Sequence, residues 1–337
     1  MIQKKIEKVI NRENLSIEES VSVMNQIMEG TVNNSLIAAL LIGLKSKGET
    51  AEEVAGFVKT MRDKSIKIKC TDPNAVDVCG TGGDESGTIN ISTAASFAIA
   101  GAGFTVAKHG NRSISSKSGS ADVLAELGIN IGLSPEKAEK SLNEIGITFM
   151  FAPLFHPAMK YVMPVRKELA MRTVFNMLGP LTNPAGTKRQ LIGTFNDTSA
   201  ELISMALPHL DMEKVLVICT ENKFDEITLT GNTSIREYSR GKSADIYEVN
   251  NETFGYPFVE LEQIKGNSAA ENASIITKTF TKKEKTPLFY VIAANAAMGL
   301  YAAGADKSLK KCADIAEDSI LSGKALGKIE ELKHFIG

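Results

Sequence analysis

At 337 residues, with 38 Lys and Arg against 40 Asp and Glu, the chain is near-neutral and long enough for two domains with a sizeable core. That balance leaves no broad basic footprint for nucleic acid, and clusters such as Lys282-Lys283-Glu284-Lys285 and Lys307 to Lys311 read as solvated faces. Four widely spaced cysteines (Cys70, Cys79, Cys219, Cys312), no run of membrane-spanning length and no apolar signal core after Met1 point to a cytoplasmic protein with reduced thiols and no membrane partner.

The first seventy residues read as helices. Ile2, Ile6, Val9 and Ile10 line one face of the first. Ser16-Ile17-Glu18-Glu19 and Thr50-Ala51-Glu52-Glu53 are capping boxes that open two more. Between them an apolar helix starts at Asn34 or Ser35 and stops at Gly48. Short turns between helices make a compact helical unit, whose apolar faces at Leu36, Ile37 and Leu40 are expected to supply contact between two copies.

From Val76 strands alternate with helices, the signature of a mostly parallel sheet flanked by helices. Strands are expected at Val76 to Cys79, Phe104 to Ala107, Ile147 to Phe151, Lys188 to Phe195 and Lys214 to Thr220. Helices are expected after Ser92 or Thr93 as N-cap, over Ser118 to Leu127, from Ser134-Pro135 to Ile145, and over Ser199 to Leu207. Ala158 to Met171 and Arg172 to Leu178 also read as helical, with Met163-Pro164-Val165-Arg166 breaking the first early. Residues 227–265 look like an antiparallel appendage, and two helices, Phe289 to Ala303 and Ser308 to Phe335, close the chain. The fold class is therefore α/β: a small helical N-terminal domain and a large α/β domain.

Four strand exits carry polar residues. The first reads Gly80-Thr81-Gly82-Gly83-Asp84 and runs into Thr88 and Asn90-Ile91-Ser92-Thr93, a glycine loop leading to a helix N-terminus where backbone N–H groups meet an anion. No Gly-Lys-Ser/Thr follows it, and the third glycine of a dinucleotide loop is missing. Asp84 would repel bare phosphate but suits a metal-bound phosphate or a sugar hydroxyl. The second exit, Lys108-His109-Gly110-Asn111-Arg112 with serines at 113, 115, 116, 118 and 120, supplies two cations and several hydroxyls. The third holds His156 and Arg166, and the fourth Asp225-Glu226, adjacent carboxylates that repel unless a metal joins them. In an open α/β sheet such exits share one crevice. His209 and His334 carry no assignment.

GTGGD, NIST, KHGNRSISSKSGSAD, MPVRKEL, TVFNMLGPLTNPA and DEITLTG, in this order over almost the whole chain, resemble the motifs of the anthranilate phosphoribosyltransferases. That resemblance implies the second step of tryptophan biosynthesis, transfer of the phosphoribosyl group of phosphoribosyl pyrophosphate (PRPP) to the amine of anthranilate with release of pyrophosphate. It implies a homodimer made through a helical domain of residues 1–70 joined by a segment near 165–183, beside an α/β domain of residues 71–337. PRPP would be held by Gly80, Gly83, Asp84, Thr88, Asn90, Ile91, Ser92, Thr93, Lys108, His109, Gly110, Asn111, Arg112, Ser113, Ile114, Ser115, Ser116 and Ser120, with Lys108, Arg112 and Asp84 acting in catalysis. Gly80, His109, Asn111, His156, Arg166, Gly179 and Pro180 would hold anthranilate. Ser92, Asp225 and Glu226 would hold magnesium, two ions per monomer. Association with an anthranilate synthase stays open. The rival readings are a pyrimidine nucleoside phosphorylase, which would need no metal for its single phosphate, and a silent relative that binds nucleic acid.

Overall fold

The computed structural model describes residues 2–82, 87–112 and 118–335. Four helices open the chain: α1 (Ile2–Ile10), α2 (Ile17–Met28), α3 (Asn34–Lys47) and α4 (Ala51–Lys64). Both capping boxes form as read, at Ser16/Glu19 and at Thr50/Glu53. Glu53 does more than cap. Its buried carboxylate also accepts the Leu15 N–H at 2.9 Å and pairs with Lys47 at 3.1 Å, tying the start of α2 to the α3–α4 turn. Removing one partner of a buried pair of this kind costs about 3–5 kcal/mol. The helix α3 starts at Asn34 as read, with Asn33 as its cap and the Asn33 side chain accepting the Leu36 N–H. Ile37 and Leu40 are core residues of the bundle and cannot serve as an outer contact face; Ile10 and Ile42 are the exposed apolar residues on α1 and α3.

Seven strands form one sheet in the order β3-β2-β1-β4-β5-β6-β7. They are β1 (Val76–Gly80), β2 (Val106–Gly110), β3 (Ile147–Phe151), β4 (Arg189–Gly193), β5 (Lys214–Thr220), β6 (Thr233–Ser239) and β7 (Asp245–Val249). The first five are parallel, so Gly80, Gly110, Phe151, Gly193 and Thr220 all lie at one edge. β6 and β7 are antiparallel, as their alternation suggested, but they extend the main sheet through a full β5–β6 ladder.

The pleat sends alternate residues to two cores. Val76, Val78, Leu191, Leu216 and Ile218 pack with the Ile91–Gly101 helix and with the C-terminal helices, chiefly Pro287–Ala303. Cys79, Ile192, Val215, Val217 and Cys219 share the other core with α1–α4 and with Val162, Val165, Phe175, Leu178 and Leu181. The middle segment is thus buried in the same cluster as the N-terminal helices.

Several expected elements are redrawn. Met163-Pro164 opens the Met163–Leu169 helix instead of breaking one, because in a first turn the missing proline N–H has no partner to lose. Pro157–Tyr161 before it is a 3₁₀ turn, and Arg172 to Leu178 shrinks to Phe175–Leu178. The second strand runs on through Lys108 and His109, whose backbones pair with Phe149 and Met150 of β3. Ala269–Lys282 is a helix, capped by Ser268, that the sequence reading passed over; it buries only Asn272, Ala273, Ile276 and Phe280. Ser308 to Phe335 is two helices, Leu309–Leu321 and Lys324–His334, parted at Gly323, whose φ of +88° suits glycine. Among the described residues no single helix is long and apolar enough to cross a membrane.

Candidate active site

Two strand-end glycines make room for Asp225. A Cβ on Gly80 would stand 2.3 Å from its carboxylate, and one on Gly193 would stand 1.6 Å from its carbonyl oxygen. The Asp225 carboxylate accepts the Gly82 N–H at 3.1 Å, so it sits on the glycine loop. Glu226 turns the other way and accepts the Ser92 N–H at 3.0 Å and the Thr88 hydroxyl at 3.3 Å. The expected N-cap at Ser92 or Thr93 is therefore corrected. Asn90 stands at the cap position without a side-chain cap bond, and Glu226, from another strand exit, supplies the anion. Ile91 is a core residue and Thr93 is fully buried, so the backbone is what they can offer a ligand.

The loop carrying both carboxylates is fixed from behind. Asn295, buried in the Pro287–Ala303 helix, accepts the Ile227 N–H at 3.1 Å and donates to the Ile227 carbonyl at 2.8 Å. Thr220 donates to the Glu226 carbonyl at 2.7 Å. With hydroxyl and carboxylate oxygens only, the donor set suits magnesium, which takes a few protein oxygens and fills its shell from water and phosphate. Among the described residues no group of three or more His, Cys, Asp or Glu forms a cage by itself.

Lys108 is buried beneath this edge and donates to the Val78 carbonyl at 2.7 Å. Burial lowers its pKa, while Asp77 and, further off, Glu226 and Asp225 favour its charge. Asp77 is an acid inside the otherwise apolar run Val76 to Cys79. It is fully buried, and burial raises its pKa against the pull of Lys108 and of the Asn183 amide. Asn183 donates to Asp77 at 2.8 Å and to the Ala107 carbonyl at 2.8 Å, while Gln190 donates to the Pro180 carbonyl at 2.7 Å. The turn Gly179–Thr182 is thereby fastened to the sheet.

Against that turn lie two imidazoles. His109 and His156 have ring centroids 5.1 Å apart and are both buried. Burial and the neighbouring His156 push His109 down to about 3, against the backbone of Gly179. Burial takes His156 down to about 4, opposed by the backbone of Thr182. Both rings are neutral at physiological pH, and each Nε2 is buried with no partner among the described residues. Arg166, half-buried on its helix, sits 5.7 Å from the Phe175 ring centroid and has no salt bridge to an acid among the described residues. Burial lowers its pKa.

Other expected residues fall differently. Arg112 is exposed and paired with Asp122 at 2.9 Å. Asn111 is exposed, with its carbonyl accepting the Ser120 hydroxyl at 3.2 Å; a Cβ on Gly110 would crowd that hydroxyl at 2.4 Å. Gly83, Asp84, Ser113, Ile114, Ser115 and Ser116 lie outside the described residues.

Fold and site together define a two-domain glycosyl transferase. The family model "Glycosyl transferase family, a/b domain" matches residues 72–326, and "Glycosyl transferase family, helical bundle domain" matches residues 3–65. The chain is 45% identical over 335 residues to the anthranilate phosphoribosyltransferase of Thermoanaerobacter sp. (strain X514), covering 99% of this chain and 98% of that one. It is 44% identical to that of Pelotomaculum thermopropionicum, covering 100% and 97%. The crystal structure of the Thermus thermophilus enzyme superposes with a TM-score of 0.92 at 38% identity, over 98% of each chain. A Saccharomyces cerevisiae relative, in complex with PRPP and Mg, shares the fold at a TM-score of 0.89 and 24% identity. The chain belongs to the anthranilate phosphoribosyltransferase family. These relatives do not favour the nucleoside phosphorylase or the silent nucleic-acid-binding reading.

Proposed function

We propose that the chain transfers the phosphoribosyl group of PRPP to the amine of anthranilate, with Asp225 and Glu226 serving a magnesium-bound pyrophosphate. The observation that carries this is the meeting of the two carboxylates with the glycine loop and with the N-terminus of the Ile91–Gly101 helix. Glu226 already occupies the place of an anion at that helix end. A pyrophosphate arriving there would be repelled unless a cation stood between, which is what the carboxylate pair supports. Magnesium, two ions per monomer, would neutralise charge developing on the leaving group, with Ser92 as a further oxygen donor. Lys108 adds positive potential from beneath. Arg112 and Asn111, at the exit of β2, serve the donor once Arg112 exchanges Asp122 for phosphate.

The acceptor side is built from Arg166, the His109–His156 pair and the Gly179-Pro180 turn. A half-buried guanidinium without an acid partner among the described residues suits the carboxylate of anthranilate. Neutral imidazoles beside an aromatic amine leave it uncharged and nucleophilic. No strong base is needed before attack, because the amine becomes acidic as the bond to the anomeric carbon forms. Catalysis then rests on positioning and electrostatics, the former contributing ~7–11 kcal/mol. The helical domain of residues 1–70, with the segment near 165–183, is assigned the homodimer contact; residues 71–337 carry the donor site.

Replacing Asp225 and Glu226 together by alanine tests the metal assignment. Turnover should fall by about 10²–10³ or more while circular dichroism stays that of the wild type. A double variant with near-normal turnover that still requires magnesium would place the metal elsewhere.

A further inference from the structure

The Asn90 side chain stands at a helix N-cap position and makes no cap bond. Its amide is used elsewhere. Asn90 Oδ1 accepts from Asn272 Nδ2 at 3.0 Å and from the Ser118 hydroxyl at 3.2 Å, and Asn90 Nδ2 donates to the Ser118 carbonyl at 3.2 Å. One amide therefore joins three segments: the arm after the glycine loop, the exit of the serine-rich run, and the start of the Ala269–Lys282 helix.

Asn272 is built for this position. It is 1% exposed, and its Oδ1 accepts the Asn267 N–H at 3.0 Å while its Nδ2 faces Asn90. A Cβ on Gly266 would lie 2.2 Å from Asn272 Oδ1, so glycine there admits the amide. The backbone beside it is zipped to the glycine-loop arm, with Gly266 N–H donating to the Gly87 carbonyl at 2.8 Å and Ile89 N–H to the Ile264 carbonyl at 3.1 Å. Thr88 bridges Lys265 in the same ladder. Residues 264–266 thus hold the backbone of Gly87 to Ile89, next to the Thr88 hydroxyl and the Ser92 N–H that meet Glu226.

We infer that Asn272 is a positioning residue for the PRPP subsite, acting through Asn90 to keep the glycine-loop arm and Ser118 in one register. This rests on the donor assignment made above. The acceptor groups, Arg166, His109 and His156, are held by other elements, so the effect falls on one substrate.

Asn272→Asp tests it. The variant keeps an oxygen for the Asn267 N–H and replaces the donor to Asn90 by an acceptor, which repels Asn90 Oδ1. Steady-state kinetics on the full chain should show the PRPP KM raised about tenfold or more, the loss of one or two hydrogen bonds, with the anthranilate KM within about twofold. Ser118→Ala removes a second partner of Asn90 and should raise the PRPP KM as well. The two changes together should cost less than the product of their separate effects, because they act on one amide. If Asn272→Asp does not fold, Ser118→Ala alone decides by the same split between the two KM values. Equal increases in both KM values, or an unchanged PRPP KM, would overturn the inference. A wild-type chain without PRPP-dependent activity would overturn the donor assignment together with it.

Discussion

Acidification should unload the His109–His156 pair, and the structure sets the window. Both imidazoles are depressed in the folded chain, to about 3 and about 4, from an ordinary value of 6.5. A base whose folded pKa lies below its unfolded one is protonated more readily by the unfolded chain. Its contribution to stability is therefore full above about pH 6.5, falls as the pH drops below that, and levels off only beneath the folded values. At about pH 5.5 each ring should have cost about 1.4 kcal/mol, so the pair should cost about 3 kcal/mol. The depressed carboxylates of Glu19 and Asp211, both at about 2 through their lysine and arginine partners, lose their contributions only at lower pH. Asp77 acts in the opposite sense, since its raised pKa means that protonation relieves it. Comparison with a His109→Gln/His156→Gln chain isolates the imidazole part. Urea unfolding of both proteins at about pH 7.5 and 5.5, with imidazole carbon resonances followed over the same range, makes the measurement. The wild type should lose about 3 kcal/mol more than the double variant, and the two ring resonances should stay those of neutral imidazole. An imidazole of this pair titrating with a midpoint above about pH 6, or equal losses in the two proteins, would refute the reasoning.

The acceptor assignment predicts that Arg166→Ala raises the anthranilate KM roughly tenfold or more, from a charge-assisted bond of ~1.5–3 kcal/mol, while the PRPP KM moves much less. A rise in the PRPP KM instead would make Arg166 a phosphate residue. The dimer assignment predicts that Ile10→Asp/Ile42→Asp, which charges the exposed apolar residues of α1 and α3, shifts the sedimenting species from dimer to monomer without unfolding it. A variant that still sediments as a dimer would move the contact to another surface.

Local grammar was legible in the chain. Ser16/Glu19 and Thr50/Glu53 named two helix starts because a capping box is complete within four residues, and the parallel strands announced themselves as apolar runs. What escaped depends on partners far away in sequence. The helix cap supplied by Glu226 is 134 residues from Ser92, and nothing near Asn90 says that its amide is taken by Asn272, 182 residues on. Asp77 was overlooked although an aspartate inside Val-Asp-Val-Cys was itself a signal, since a buried acid needs donors such as Asn183. Pro164 misled because proline ends a helix interior but opens a first turn, and only its position in the finished helix tells which. Lys108 was read as a loop cation; its pairing with Phe149 of β3 keeps it in the ladder, buried under the site.

The most direct measurement is the loss of anthranilate fluorescence in the presence of the purified chain, PRPP and magnesium, with pyrophosphate counted in the same samples. Fluorescence should fall only when PRPP and magnesium are both present, and one pyrophosphate should appear for each anthranilate consumed. No loss of fluorescence under those conditions, or loss of equal rate without magnesium or without release of pyrophosphate, would contradict the account.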